Sequence, residues 1–323
     1  NARHIKNVPG HKTDKKDSEW IAKLLLSGLL KGSFVPAEWI RELRDLCRYK
    51  RKLIAQRVAQ RNRVHKILED ANIKLASVVS DVFGISGTLI LDALIQKQND
   101  PEYLANLAKG SLRKKMTDLK LSLHGRLTDH HRFMLSTLRD SIDSINSQIR
   151  DIELRIESYA VELQQELDLL QTIPGVGKET AMNILAETGN DMGVFPDHKH
   201  LASWAGVSPG NNESAGKKKS TRITHGNKYL KTALVEAAWA ASHTKDTYLN
   251  RKHGAIAARR GTKKALIAVA HKILTALYFI LKNKESYLEP DDTAYQEKRK
   301  QAQIKKSLER LRGLGVQVDF RPN

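Results

Sequence analysis

A chain of 323 residues has room for two domains or more, and 40% hydrophobic with 28% charged content is that of a globular protein with a sizeable core, not of a disordered or collagen-like one. Against 36 Asp and Glu stand 55 Lys and Arg, a formal net charge of +19, and such a field favours polyanions, nucleic acid first. The single cysteine, Cys47, excludes an internal disulfide and a zinc knuckle built from cysteines, and fits a reducing compartment.

The opening NARHIKNVPG looks like the end of a strand and its loop, with no Met in front and no secretory signal pattern, so a missing true N-terminus is expected. In HKTDKKDSEWIAKLL the apolar spacing of Trp20, Ile21, Leu24 and Leu25 predicts an amphipathic helix opening near Thr13 or Asp14. Carboxylates in a first turn commonly cap it and complement the helix dipole. Here, however, Asp14, Asp17, Ile21, Leu24 and Gly28 share one stripe while Lys15 and Lys16 face outward, so the two acids extend the apolar face rather than the solvated one.

Pro36 marks a break, and AEWIRELRDLCRYKRKLIAQRVAQRNRVHKILEDANI then reads as one long helix rich in Arg and Lys. Gly84, Gly87, Pro101 and Gly110 punctuate a region of shorter helices. From Leu138 the apolar residues Ile142, Ile145, Ile149, Ile152, Ile156, Tyr159, Leu163, Leu167 and Leu170 follow a four-and-three spacing, a heptad seam over more than four repeats. Its partner is either the Arg-rich helix, antiparallel, or a second protomer.

At LLQTIPGVGKETAMNILAETG the helix ends at Pro174, and Gly175 and Gly177 predict a tight turn before a new helix near Lys178. Such a helix-hairpin-helix offers backbone N–H groups, a helix N-terminus and Lys178 to a phosphate; the plainer reading is a helical corner. A polar, cationic loop follows, with Lys217, Lys218, Lys219 and Arg222, and leads into a helix that begins at Lys228 and buries Leu230, Leu234, Ala237, Ala238 and Ala241. RKHGAIAARRGTKKA adds Arg259, Arg260, Lys263 and Lys264 with no acid among them, so two cationic segments flanking one helix predict a shared groove for phosphates. The apolar run from Ala265 to Leu281 holds His271 and Lys272 and reads as a buried helix, not a membrane span. The tail after Pro290 reads as an exposed amphipathic helix or a basic arm.

Together NARHIKNVPGHKTDKKDSEWIAKLL, GSFVPAEWIRELRDLCRYKRKL, TIPGVGKETA and GNKYLKTALVEAA resemble, in order and spacing, transposases of the insertion-sequence 110 family, its 1111 branch in particular. That resemblance implies a mainly α chain with four parts. These are a C-terminal remnant of an RNase H-like (RuvC-like) α/β catalytic domain over 1–37, long helices and a coiled coil over 38–167, a helical transposase domain over 168–288, and a basic tail over 289–323. It implies a DEDD carboxylate set whose last two positions match Asp14 and Asp17, holding Mg²⁺ or Mn²⁺, the earlier two belonging to strands before Asn1. It also implies a serine nucleophile in a Ser-Gly-Gly-Lys-like stretch, matched by Ser214-Ala215-Gly216-Lys217, where Ala215 departs from the usual glycine; Ser208 and Ser220 are the hydroxyls nearby.

The implied activity is a DNA transposase or recombinase, cutting and joining strands through Ser214 and guided by a structured non-coding RNA. DNA ends and target, a guide RNA and a homo-oligomer, dimer or tetramer, are the implied partners, in a prokaryotic cytoplasm beside the nucleoid. A serine hydroxyl is a weak nucleophile at its own pKa and needs a base, a metal or dense positive charge. His225 is close in sequence to Ser214. The alternatives are a metal-dependent junction nuclease and an inactive nucleic-acid-binding remnant, and the chain alone is expected to lack strand transfer.

Overall fold

Residues 14–29, 34–209, 212–214, 217–220, 222–223, 225–291 and 293–313 are described in a computed structural model, and the side chains of Asp14, Asp17, Ser214 and Lys217 to Lys219 lie outside that description. Apart from one short hairpin, every regular element among the described residues is helical, and the expected mainly α class holds. Two compact units divide the chain: Asn1–Arg41 together with Leu163–Asn323, and Glu42–Glu162.

The Glu42–Glu162 unit is built on two long helices, α2 (Glu38–Asp70), which enters it at Glu42, and α7 (Asp129–Ala160). Neither contains Gly or Pro, so nothing interrupts the hydrogen-bond ladder. They run antiparallel. Tyr159 donates to Glu42 (2.7 Å), Lys50 pairs with Glu153 (2.9 Å), Arg57 donates to Asn146 (3.1 Å) and His131 meets Asp70 (2.9 Å), partners falling along one helix as they rise along the other. Leu53 packs on Ile145 and Ile149 between these polar pairs. Of the two partners left open for the heptad seam, the Arg-rich helix is the one seated on it.

At its start α7 is held by reciprocal capping: Thr128 accepts from the His131 N–H (3.2 Å) and its own N–H reaches His131 Nδ1 (3.3 Å). Nδ1 is thereby the acceptor, which leaves the Nε2 hydrogen for Asp70. Short helices α3 (Leu75–Val78), α4 (Ile85–Ile95), α5 (Pro101–Asn106) and α6 (Met116–Ser122) close this end around Leu68, Ile90, Leu91, Leu104, Leu119 and Leu135.

The seam does not continue as one helix to Leu170. The helix ends at Ala160, a turn follows, and α8 (Gln164–Gln171) restarts, so that Leu163, Leu167 and Leu170 are buried in the other unit. No Pro or Gly marks the break; two helices that keep one phase read as a single heptad pattern.

In the other unit α1 (Asp14–Leu26) forms where it was expected and ends at Gly28, whose φ of +67° suits a residue without Cβ. Its apolar stripe is not inward as expected: Leu24 is buried, but Ile21, Trp20, Leu25, Leu26 and Leu29 are exposed, because no described residue covers that face. Phe34 tethers the following segment by packing on Phe195 and Trp204, with ring centroids 4.8 and 5.6 Å away.

The remainder of this unit comprises α9 (Lys178–Thr188), α10 (His198–Ala205), a hairpin of β1 (Asn212–Ser214) and β2 (Lys217–Ser220), α11 (Lys228–His243), α12 (Tyr248–Arg260) and α13 (Thr262–Asn283), followed by α14 (Thr293–Gly313). α13 is the central helix, packed against α8, α10, α11 and α12. By length and hydropathy it would pass for a membrane span, yet Val269, Ile273, Leu274, Leu277 and Leu281 are buried in the bundle, as the sequence reading expected.

Candidate nucleic-acid interface

The two glycines of the α8–α9 turn differ in what surrounds them. Gly175 has φ +86°, and a Cβ there would lie 2.4 Å from the Ala241 nitrogen and 2.5 Å from the Ala237 oxygen. It is what lets the turn close on α11. Gly177 is in an extended conformation that other residues adopt, and a Cβ there would meet nothing within 4 Å. It heads α9 without a side-chain cap and is exposed, as is Lys178.

The predicted cationic loop is a hairpin. β1 (Asn212–Ser214) pairs antiparallel with β2 (Lys217–Ser220), Ser214 opposite Lys217 and Glu213 opposite Lys218, and a further bridge joins Pro209 to Ile223. A strand made of Lys-Lys-Lys-Ser has no apolar alternation, so periodicity does not reveal it. The neck of this excursion is tight. Gly206 ends α10 at φ +72°, and a Cβ on Gly226 would lie 2.3 Å from the Gly206 nitrogen. Asn227 then caps α11, accepting from Tyr229 and Leu230 N–H groups at 3.0 and 3.1 Å. Arg222, His225 and Lys228 are exposed around the neck.

At the α12–α13 corner Arg259 and Arg260 end one helix, Gly261 turns at φ +83°, and Lys263 and Lys264 open the next, all exposed. Arginines suit the negative end of α12, but lysines at the positive end of α13 oppose its dipole, and α13 has no acid in its first turn. The same inversion occurs at Lys228, which opens α11 with no acid, and at Lys178, which opens α9 beside Glu179. Three helix N-termini thus carry cations where an anion is electrostatically favoured.

These pieces are not all at one place. The Gly175 turn packs on Ala237 and Ala241, whereas the hairpin feeds the cap of the same helix, about 15 Å away at 1.5 Å per residue. Nor does any group of three or more His, Cys, Asp or Glu suited to a metal occur among the described residues. Asp197 caps α10, and the His200 N–H and ring hold its carboxyl down to about 2, an arrangement that orders the helix start.

Residues 1–73 match the model of the DEDD transposase domain of IS110 elements, and residues 167–253 match the model described as Transposase IS116/IS110/IS902 family. Both matched models describe transposases of IS110-type elements, and the chain is similar to that family in each of the two segments. It is 23% identical over 292 residues to the transposase for insertion sequence element IS1111A of Coxiella burnetii, covering 88% of the chain and 71% of that relative. It is 31% identical over 151 residues to the pilin gene-inverting protein of Moraxella bovis, covering 46% of the chain and 45% of the relative. An uncharacterized 43.6 kDa protein of element IS110 in Streptomyces coelicolor is 28% identical over 158 residues, covering 48% of the chain and 38% of its own length. The chain thus spans less than half of two of these three relatives. The family is one of enzymes of transposition and DNA recombination, and both family matches fall on segments that carry candidate site residues, Asp14 and Asp17 in one, Ser214 in the other.

Proposed function

We propose that this protein is a DNA-strand transferase in which Ser214 is the nucleophile. Its Oγ attacks a DNA phosphorus, one P–O bond forms as the bond to the leaving deoxyribose oxygen breaks, the seryl proton is released and the leaving oxygen takes one up. A hydroxyl of a second strand then reverses the exchange, restoring a phosphodiester and freeing the serine. The observation that carries this reading is the setting of Ser214: a hairpin that pairs it with Lys217, inside a segment matched as transposase, whose return strand leads into a helix start that bears Lys228 where an anion belongs.

Asp14 and Asp17, three apart in the first turn of α1, share one side of that helix and suit two of the oxygen ligands of a Mg²⁺ ion, which supplies charge stabilisation at the phosphate when bound. Gly177, Lys178, Arg222, Lys228, Arg259, Arg260, Lys263 and Lys264, with Lys217 to Lys219, serve the DNA backbone, and Gly175 holds the turn that presents Gly177. A guide RNA that chooses sequence by pairing suits a protein with many cations and 6% aromatics, and a homo-oligomer would bring serine and carboxylates from different protomers. In this reading 1–37 belongs to the carboxylate domain, 38–167 to the long helices, 168–288 to the serine domain and 289–323 to a basic arm.

The test is denaturing electrophoresis of the protein with labelled element-end DNA. The first half of the exchange, a covalent adduct, is expected even where strand transfer is not completed, and Ser214→Ala abolishes it. Cleavage by water that survives Ser214→Ala with no adduct makes the protein a junction nuclease instead.

A further inference from the structure

Beneath the hairpin neck lies a polar pair that the interface above does not use. Glu187, in the last turn of α9, is only 3% exposed, and the side-chain amide of Asn227 donates to its Oε2 at 2.6 Å. The amide orientation is not arbitrary. Asn227 Oδ1 is committed to the Tyr229 and Leu230 N–H groups, so the NH₂ must face Glu187, and a carboxylate is the matching acceptor. The backbone N–H of Asn227 meanwhile donates to the Trp204 oxygen (3.0 Å), and the adjoining Gly226 touches Gly206. One residue therefore binds the start of α11, the end of α9 and the end of α10 at the point where the hairpin strand returns.

We propose that Glu187 and Asn227 form a positioning clamp that sets the direction in which the Ser214 hairpin leaves the bundle. The inference rests on Ser214 as the acting residue, and neither clamp residue touches DNA. Burial makes the clamp stringent, because water is poorly placed to take over the Asn227 hydrogen bond to a carboxylate held out of solvent. Orientation matters because a nucleophile displaced by about 1 Å loses on the order of a hundredfold in rate.

The experiment uses the full chain and exploits a swap. Asn227→Asp keeps both capping acceptors but sets a second carboxylate against Glu187. Hydrogen exchange at the amides of Val207 and Asn227 is expected to accelerate at least tenfold at pH 8 with the melting temperature held within a few degrees. The Ser214–DNA adduct forms at least tenfold more slowly while affinity for the same DNA changes less than twofold. Glu187→Gln with Asn227→Asp reverses donor and acceptor and restores both exchange and adduct rate to within threefold. Should Asn227→Asp not fold, the swapped protein alone decides: wild-type exchange supports the clamp, and a folded protein with a fast-exchanging neck overturns it. Wild-type exchange in Asn227→Asp also overturns it. If Ser214→Ala still forms the adduct, the serine assignment fails, and the exchange measurements judge the clamp separately.

Discussion

Gly175 and Gly177 stand two residues apart and answer to different physics. A methyl at Gly175 meets the α11 backbone inside van der Waals contact in a left-handed conformation, so Gly175→Ala is expected to destabilise the fold by at least about 2 kcal/mol. At Gly177 the same methyl enters open space, so Gly177→Ala leaves the melting temperature within a degree or two. If a DNA backbone approaches there, Gly177→Ala weakens duplex binding severalfold all the same. Thermal melts and a binding titration of the two variants separate a turn glycine from a contact glycine; unchanged binding by Gly177→Ala removes that turn from the interface. Both glycines stand out in the sequence, but their division of labour does not, since the methyl at one meets α11, more than sixty residues away.

Elements were readable where local pattern and tertiary burial agree. α2, α11 and α13 carry apolar residues at helical spacing, and most of these are buried, Val58, Trp239 and Phe279 being exposed. The hairpin was hidden by its lysines, the break after Ala160 by a preserved phase, and the Glu187–Asn227 pair by forty intervening residues that only the fold brings together. Another such pair ties α8 to the end of α13: Lys284 donates to Glu166 at 2.6 Å, with Asn190 on the same oxygen. Burial alone pushes the Glu166 carboxyl up, but the Lys284 hydrogen bond and charge and the Asn190 bond outweigh it and hold the group below its ordinary value. A carboxyl depressed in the folded state contributes stability above its unfolded pKa, about 4.3, and that contribution is lost as pH falls through the folded value. Lys284→Met is therefore expected to cost about 1–3 kcal/mol at pH 7. Below pH 4 the cost shrinks, as Glu166 becomes protonated in the variant and then in the wild type. Urea titrations at pH 7 and pH 3.5 check this; an equal gap at both values means the ion pair adds no net stability.

Across the molecule, a charge of +19 sets the stage for polyanion binding, but where the cations sit is more telling than how many there are. Arg259, Arg260, Lys263 and Lys264 crowd one helix corner, and the two lysines oppose the dipole of α13. A protein selected for stability alone would place acids there. Replacing all four by Gln should therefore move two observables in opposite directions. Removing Lys263 and Lys264 relieves a repulsion of about 0.3–1 kcal/mol each at low ionic strength, so the melting temperature rises by a few degrees or holds. If each of the four neutralises one phosphate, the slope of log affinity for duplex DNA against log salt becomes shallower by up to about 3.6, at about 0.9 per contact. A surface that is merely solvated predicts the first change without the second. Binding measured between about 50 and 200 mM salt, alongside calorimetric melts of the same two proteins, distinguishes them: an unaltered salt slope places the DNA elsewhere and confines the corner to a cost in stability.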